Sequence, residues 1–296
     1  MWNFKFLDAI ATSYQSHVFT NVFDRTRVDK FCSISFQQHT FKTILLLKAL
    51  VAIPFEPHLF GVTINVHLVL EYLAFFIAFR YYLQLRKTST DLISSSNRLS
   101  IILGAAIGAL IGSRFIGILE NPTSVFRHGF YHLVNTKTIM GGLFGGLLGV
   151  ELAKKIVNEK QSSGDLFTLP IILGIFIGRI GCFLSGTNEF TYGKVTTFFA
   201  GMNLGDGQLR HPLALYEILY LIPLFIICRI LFYNGKLRSG ELFQVFMIAY
   251  FGFRFVIEFL KPNVFFFLGL STIQWLCIVC FMYYRKLFIS IFKNAN

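Results

Sequence analysis

Charge is scarce in this chain. Asp, Glu, Lys and Arg together make up 14% of its 296 residues, against roughly 25% in an ordinary soluble domain, so a fold with a fully water-facing surface is excluded. Acidic residues are the rarer sign, 15 Asp and Glu against 27 Lys and Arg, which leaves a formal net charge of +12. Cysteine is sparse as well, and its count of five is odd. Four of these, Cys182, Cys228, Cys277 and Cys280, lie in apolar stretches where a thiol behaves as a small hydrophobe. Cys277 and Cys280 have the spacing of a redox pair but no βαβ context, so they read as packing residues. An internal repeat is also missing, which argues against a transporter built from two related halves.

What the chain has is apolar length. Hydrophobic residues make up 54% of it, and the mean hydropathy is +0.61. Seven runs are long enough to cross a bilayer: Ile64 to Tyr82, Leu99 to Leu119, Thr138 to Ile156, Leu166 to Ser185, Pro212 to Tyr233, Leu242 to Phe259, and Val264 to Tyr284. In hydrocarbon every backbone group must be paired internally, and runs this uniform do not suit alternating barrel strands. The expected fold is all-α, a polytopic membrane bundle of about seven helices. Lys and Arg collect after the odd-numbered spans, as with Arg86 and Lys87, Lys154 and Lys155, Arg229 and Arg238, and Arg285 and Lys286. That asymmetry predicts an outside amino terminus and a cytoplasmic carboxyl terminus. It also accounts for most of the +12, so no nucleic-acid partner is inferred from the basic balance. Residues 1–57 fit the pattern badly, being basic on the side called external, and are set apart as an extension preceding a seven-helix domain over 58–296.

Three arginines sit where arginines are expensive. Arg114, Arg179 and Arg254 lie within or at the end of apolar spans, where a cation costs about 2.5 to 3.5 kcal/mol on insertion scales and therefore faces the bundle interior. Glycines mark the interior faces: Gly104, Gly108 and Gly112 in the second span, Gly141, Gly145 and Gly149 in the third, and Gly174 and Gly178 in the fourth. Small residues at every fourth position let helix backbones approach, so spans two, three and four are expected to pack together. In the sixth span Tyr250, Arg254 and Glu258 are spaced to rise up one helix face, with Lys261 a turn later. A single carboxylate does not neutralise several guanidinium groups, so an anion from outside the chain is expected. Phosphate fits best, because guanidinium forks match its oxygens and keep their charge. The phosphate carriers within reach are membrane lipids.

The residues around these arginines carry a resemblance. The run from Gly178-Arg179 through Gly181-Cys182-Phe183 to Glu189 and Gly193 resembles the signature of the prolipoprotein diacylglyceryl transferase family, G-R-x-G-N-F-x-N-G-E-x-x-G. Gly141 to Gly149 resembles that family's glycine-rich third helix, His211-Pro212 through Tyr216-Glu217 its P-x-x-L-Y-E segment, and Tyr250 to Lys261 its Y-G-x-F-R-F-x-x-E-F-x-R stretch. The resemblance implies transfer of the diacylglyceryl group of phosphatidylglycerol to the lipobox cysteine thiol of a secreted prolipoprotein in the bacterial cytoplasmic membrane. A thioether forms, glycerol phosphate leaves, and neither metal nor organic cofactor is needed. It further implies that Arg179 and Arg254 bind the headgroup and stabilise the departing phosphate, with Glu258 orienting Arg254. Glu189 and Tyr72 would help to place the headgroup and thiol, and Arg114, Gly193, Tyr250, His211 and Cys182 would complete the binding set.

The departures are specific. Cys182 and Ser185 stand for two asparagines of the signature, Thr187-Asn188 is inserted before Glu189, and Phe144 stands where the family has the histidine of an H-G-G triplet. Phenylalanine cannot accept a proton. His211 offers one replacement, and a positive site that lowers the thiol pKa offers another. A transferase is the leading reading; a non-catalytic phospholipid-binding or transport protein, or a paralogue with another acceptor, are the alternatives.

Overall fold

The computed structural model describes residues 53–89, 93–120, 136–235, 237–263 and 267–285. Among the described residues the α-helices are α1 (Val66–Thr88), α2 (Ser95–Glu120), α3 (Ile139–Ile156), α4 (Asp165–Ser185), α5 (Leu213–Asn234), α6 (Glu241–Ile257) and α7 (Thr272–Tyr283). Each falls on one of the seven apolar runs. Two short antiparallel hairpins pair His58–Leu59 with Val62–Thr63 and Met202–Asn203 with Leu209–Arg210. The expected extension over residues 1–57 lies outside the described residues as far as position 52. At its end, Phe55 N–H donates to Leu184 O at 2.8 Å, and Asn188 Nδ2 donates to Glu56 Oε1 at 2.7 Å.

Five of the helices, α1, α2, α4, α5 and α6, are long and apolar enough to cross a membrane. The other two fall short of that standard for local reasons. α3 carries Glu151, Lys154 and Lys155 near its end, and α7 runs 12 residues, about 18 Å at 1.5 Å per residue. The protein is a mostly helical, multi-pass membrane protein. Its surface agrees: Val69 and Phe76 on α1, Leu110 and Ile111 on α2, and Ile226 and Ile230 on α5 all stand exposed, a display that water would penalise and lipid does not.

Helix starts are fixed by side chains. Asn65 accepts from Leu68 N–H at 3.0 Å at the head of α1, and Thr138 Oγ1 accepts from Gly141 N–H at 3.2 Å at the head of α3. Ser271 and Gln274 form a reciprocal capping box on α7. Pro170 and Pro223 sit inside α4 and α5, which bundled membrane helices tolerate.

The glycines of α2 and α3 face each other in antiparallel register. A Cβ placed on Gly108 would lie 2.3 Å from Gly145 O, and one on Gly112 2.4 Å from Gly141 O. One on Gly149 would lie 2.1 Å from Gly104 O. No residue but glycine fits at this contact. α4 does not join it, contrary to expectation: it packs on α1, where a Cβ on Gly174 would lie 3.3 Å from Ala78 Cβ and one on Gly181 3.3 Å from His67 Cα. A Cβ on Gly178 would meet nothing within 4 Å. Of the two α4 glycines that the sequence periodicity singled out, Gly174 meets a neighbouring helix and Gly178 does not, and the period could not say which helix that would be.

Neighbouring helices alternate in direction. The starts of α1, α3, α5 and α7 therefore meet the ends of α2, α4 and α6. Contacts at that end confirm it, with Lys137 paired to Glu71, Lys261 to Glu120, and Thr272 Oγ1 donating to Leu119 O at 2.8 Å. The segment from Gly186 to Arg210 covers the same end, tied down where Gly193 N–H donates to His211 O and Lys194 N–H to Leu260 O, both at 2.8 Å.

Candidate active site

At this end α4, α5 and α6 bring two arginines onto one carboxylate. Glu217, in the second turn of α5, is fully buried. Its Oε1 lies 2.8 Å from Arg179 Nε, an ion pair, and its Oε2 accepts from Arg254 NH1 at 2.9 Å. Tyr250, one turn before Arg254, donates its hydroxyl proton to Glu217 Oε1. Arg254 NH2 donates to Glu258 Oε2 at 3.1 Å, and Asn263 Nδ2 holds the other oxygen of Glu258 at 2.9 Å. Two guanidinium groups and two carboxylates leave this cluster neutral, which is how such charges survive burial.

That neutrality corrects one expectation. The anion thought to come from outside is supplied in part by Glu217, from a helix whose role the arginines alone did not reveal. Arg179 and Arg254 do converge, but Arg254 has both terminal nitrogens on carboxylates. The terminal nitrogens of Arg179 are freer. NH1 donates at 3.7 Å to Cys182 Sγ, a weak acceptor that phosphate oxygens would outcompete. Arg114, from α2, donates to the Thr136 carbonyl at 3.0 Å and shows no acidic partner among the described residues.

These groups open onto one large cavity of about 1740 Å³ between the α1 and α4 pair and the α2 and α3 pair. Drug-sized ligand pockets occupy roughly 300 to 1,000 Å³. Arg114, Arg179, Arg254, Lys137 and Lys261 line its covered end, with His67, Glu71 and Glu189. Further along, the wall turns apolar, with Ala78, Phe79, Ala109, Leu143 and Ile171. Gly178, where a Cβ would meet nothing within 4 Å, leaves space open on this wall. A charged head chamber continuous with an apolar trough is the shape of a lipid site. Among the described residues no group of three or more His, Cys, Asp or Glu is placed to hold a metal ion.

A family model described as prolipoprotein diacylglyceryl transferase matches residues 49–290. The chain belongs to this family. A relative from Campylobacter hominis, named phosphatidylglycerol–prolipoprotein diacylglyceryl transferase, is 30% identical over 260 residues, covering 80% of this chain and 90% of that protein. Proteins of the same name from Wolbachia sp. subsp. Brugia malayi and Ehrlichia ruminantium are 32% and 35% identical. Those two matches cover 59% and 55% of this chain, and 66% and 64% of the relatives.

Within this family member the expected site residues separate into three groups. Arg179, Arg254, Arg114, Glu189 and Cys182 line the cavity. Glu258 and Tyr250 lie behind that wall, buried, and act on it through Arg254 and Glu217. Tyr72, Gly193 and His211 are placed elsewhere. Tyr72 is 68% exposed on the lipid-facing side of α1; helix rotation turns His67 and Glu71 inward instead. Gly193 serves the loop, since a Cβ there would lie 2.6 Å from His211 Cβ. His211 Nδ1 pairs with the Tyr216 hydroxyl at 3.2 Å, and burial pushes its pKa down. Phe144 packs edge-on against Tyr283, ring centres 6.3 Å apart, and is not on the cavity wall.

Glu217 and His67 were not among the expected site residues. For Glu217 a signal existed. It is the one acid in the α5 run, and an ionised group at membrane depth requires a partner as surely as an arginine does.

Proposed function

We propose that this family member moves the diacylglyceryl group of phosphatidylglycerol onto the lipobox cysteine thiol of secreted prolipoproteins. The observation that carries the reading is the Glu217-bridged arginine pair on the wall of a large cavity that continues from there into an apolar stretch. A phospholipid matches both halves, its phosphate at the arginines and its acyl chains along the trough.

In this reading the thiolate attacks the glyceryl carbon that bears the phosphate. The carbon–sulfur bond forms, the carbon–oxygen bond breaks, and the electron pair leaves on the phosphate oxygen as glycerol phosphate. Arg179 and Arg114 donate to the phosphate, Arg179 meeting the charge that grows there in the transition state. Glu217, itself held by Arg254 and Tyr250, fixes the Arg179 fork, and Glu258 with Asn263 fixes Arg254. Arg254 and Glu258 are thus positioning residues. Glu189 and Cys182 border the headgroup. The chain would cross the bacterial cytoplasmic membrane seven times, first entering from the outer side, where the acceptor arrives.

Purified protein in detergent, given phosphatidylglycerol and a lipobox peptide, is expected to yield a peptide heavier by one diacylglyceryl group and free glycerol phosphate. A wild-type protein that retains lipid yet gives neither product refutes the transferase reading. Phe144 at the position of the family histidine is the observation that favours the second reading, a phospholipid-binding protein without chemistry, and this assay separates the two.

A further inference from the structure

A thiol becomes a competent nucleophile on losing its proton, and most groups around the cavity are not available to take one. Phe144 has no acceptor. His211 lies off the cavity wall, against Tyr216. Glu217 and Glu258 are held by guanidinium groups, and Glu71 and Glu120 by Lys137 and Lys261. On the wall at the covered end this leaves His67, in the first turn of α1, and Glu189.

The surroundings of His67 set it apart. Its Cα lies against Gly181 of α4, the residue between Ile180 and Cys182, so the imidazole belongs to the same chamber as Arg179. Nδ1 is buried with no hydrogen-bond partner among the described residues. Buried polar atoms are nearly always paired, and one that is not calls for a functional explanation. Nε2 lies 3.8 Å from Glu71 Oε2 and 3.9 Å from Glu189 Oε1. These separations exceed a hydrogen bond, so the ring is not tied down. A positive charge arriving on it would nonetheless meet two carboxylates. The charged groups facing it are Glu71 on its own helix, Glu189 after α4, and Lys137 at the start of α3, which holds Glu71; Gly181 contributes none. An imidazole free in its neutral form and flanked by acids in its charged form suits a general base.

We propose that His67 takes the proton of the acceptor thiol as the sulfur attacks the glyceryl carbon. The proposal rests on the transferase reading above. The S–H bond breaks toward the imidazole while the C–S bond forms and the C–O bond to phosphate breaks. The imidazolium then returns its proton to the departing glycerol phosphate, and the ring is neutral for the next turnover.

The test uses the full chain in detergent with phosphatidylglycerol and a lipobox peptide. If the wild type transfers nothing, the transferase reading fails and this assignment falls with it. With an active wild type, His67→Gln is expected to lower kcat about 10²- to 10⁴-fold at neutral pH, the usual range for a lost general base. The KM for phosphatidylglycerol should stay within about 2-fold, and the fall in rate toward acid pH should vanish from the profile. A lipobox peptide carrying selenocysteine, whose selenol is already ionised, should restore most of the variant's rate; a merely structural lesion would not respond. His67→Asn repeats the measurement if His67→Gln does not survive purification. A kcat within about 3-fold of wild type, a selenol peptide without effect, or loss of the acid limb in Glu189→Gln while His67→Gln keeps it, would each overturn the assignment.

Discussion

Between α2 and α3 the contact is backbone on backbone, with Gly108 and Gly145 so close that a Cβ on either would lie 2.3 Å from the other's carbonyl oxygen. Between α4, α5 and α6 it is a row of ions, Arg179 and Arg254 meeting on Glu217. Both seams answer the same difficulty. Lipid tails are as apolar as leucine, so burying apolar surface does not drive helices together in a membrane. The first seam substitutes close packing; the second substitutes charges that are satisfied only when all three helices are in place. The glycine seam is close-packed and chemically blank, whereas the ionic seam faces the cavity and keeps donors to spare. The site grew on the second.

The sharpest way to break the comparison is Gly145→Val. Its new side chain would meet backbone at Gly108 and Gly112, with no flexible group able to give way. A loss of about 4 kcal/mol or more is expected, at the severe end of overpacking. Thermal unfolding of the purified protein in detergent measures it; an unfolding temperature near wild type would mean the helices are not this close. Glu217→Gln attacks the other seam by leaving two guanidinium groups without their shared carboxylate. About 3 to 5 kcal/mol should be lost, and the double variant Glu217→Gln with Arg254→Met should lose less than the sum of the singles, as a shared network requires.

Arg179→Ala sharpens the functional side of the contrast. A fall in kcat of roughly 10²- to 10³-fold is expected, the scale for a lost anion-stabilising donor, in a protein still folded by size-exclusion chromatography. Equal rates for variant and wild type would remove Arg179 from the reaction. Phe144→Ala should lower stability by about 1 to 3 kcal/mol through lost packing against Tyr283, with turnover per folded molecule unchanged; a selective rate loss would return that position to the chemistry. Smallest of all is Gly178→Ala, since a Cβ there meets nothing within 4 Å. Its unfolding should shift by no more than about 0.5 kcal/mol, and a large loss would show that glycines on α4 serve the same purpose as those on α2.

Much of the bundle was legible because its signals are local. The seven runs became seven helices, and the glycine spacing on α2 and α3 located a real contact, since both follow from apolar length and helix period. Tyr72 was misread and His67 overlooked for one reason. Residues five apart on α1 point in different directions, and the rotation of that helix is set by Gly174 and Gly181 of α4, far away in sequence. Arg254 was expected to meet the headgroup directly, yet its terminal nitrogens go to carboxylates, one of them on a helix that sequence spacing cannot align with it.

By itself, then, the sequence determined that this is a helical membrane protein, which spans carry ions, and which faces are small. Those properties reside in single helices, whose hydrogen bonds close within four residues. Only the tertiary structure decided that α4 lies on α1, that Glu217 answers both arginines, and that His67 rather than Tyr72 looks into the cavity. Each of these depends on how one helix is turned against another, and that is settled by side chains distant in the chain.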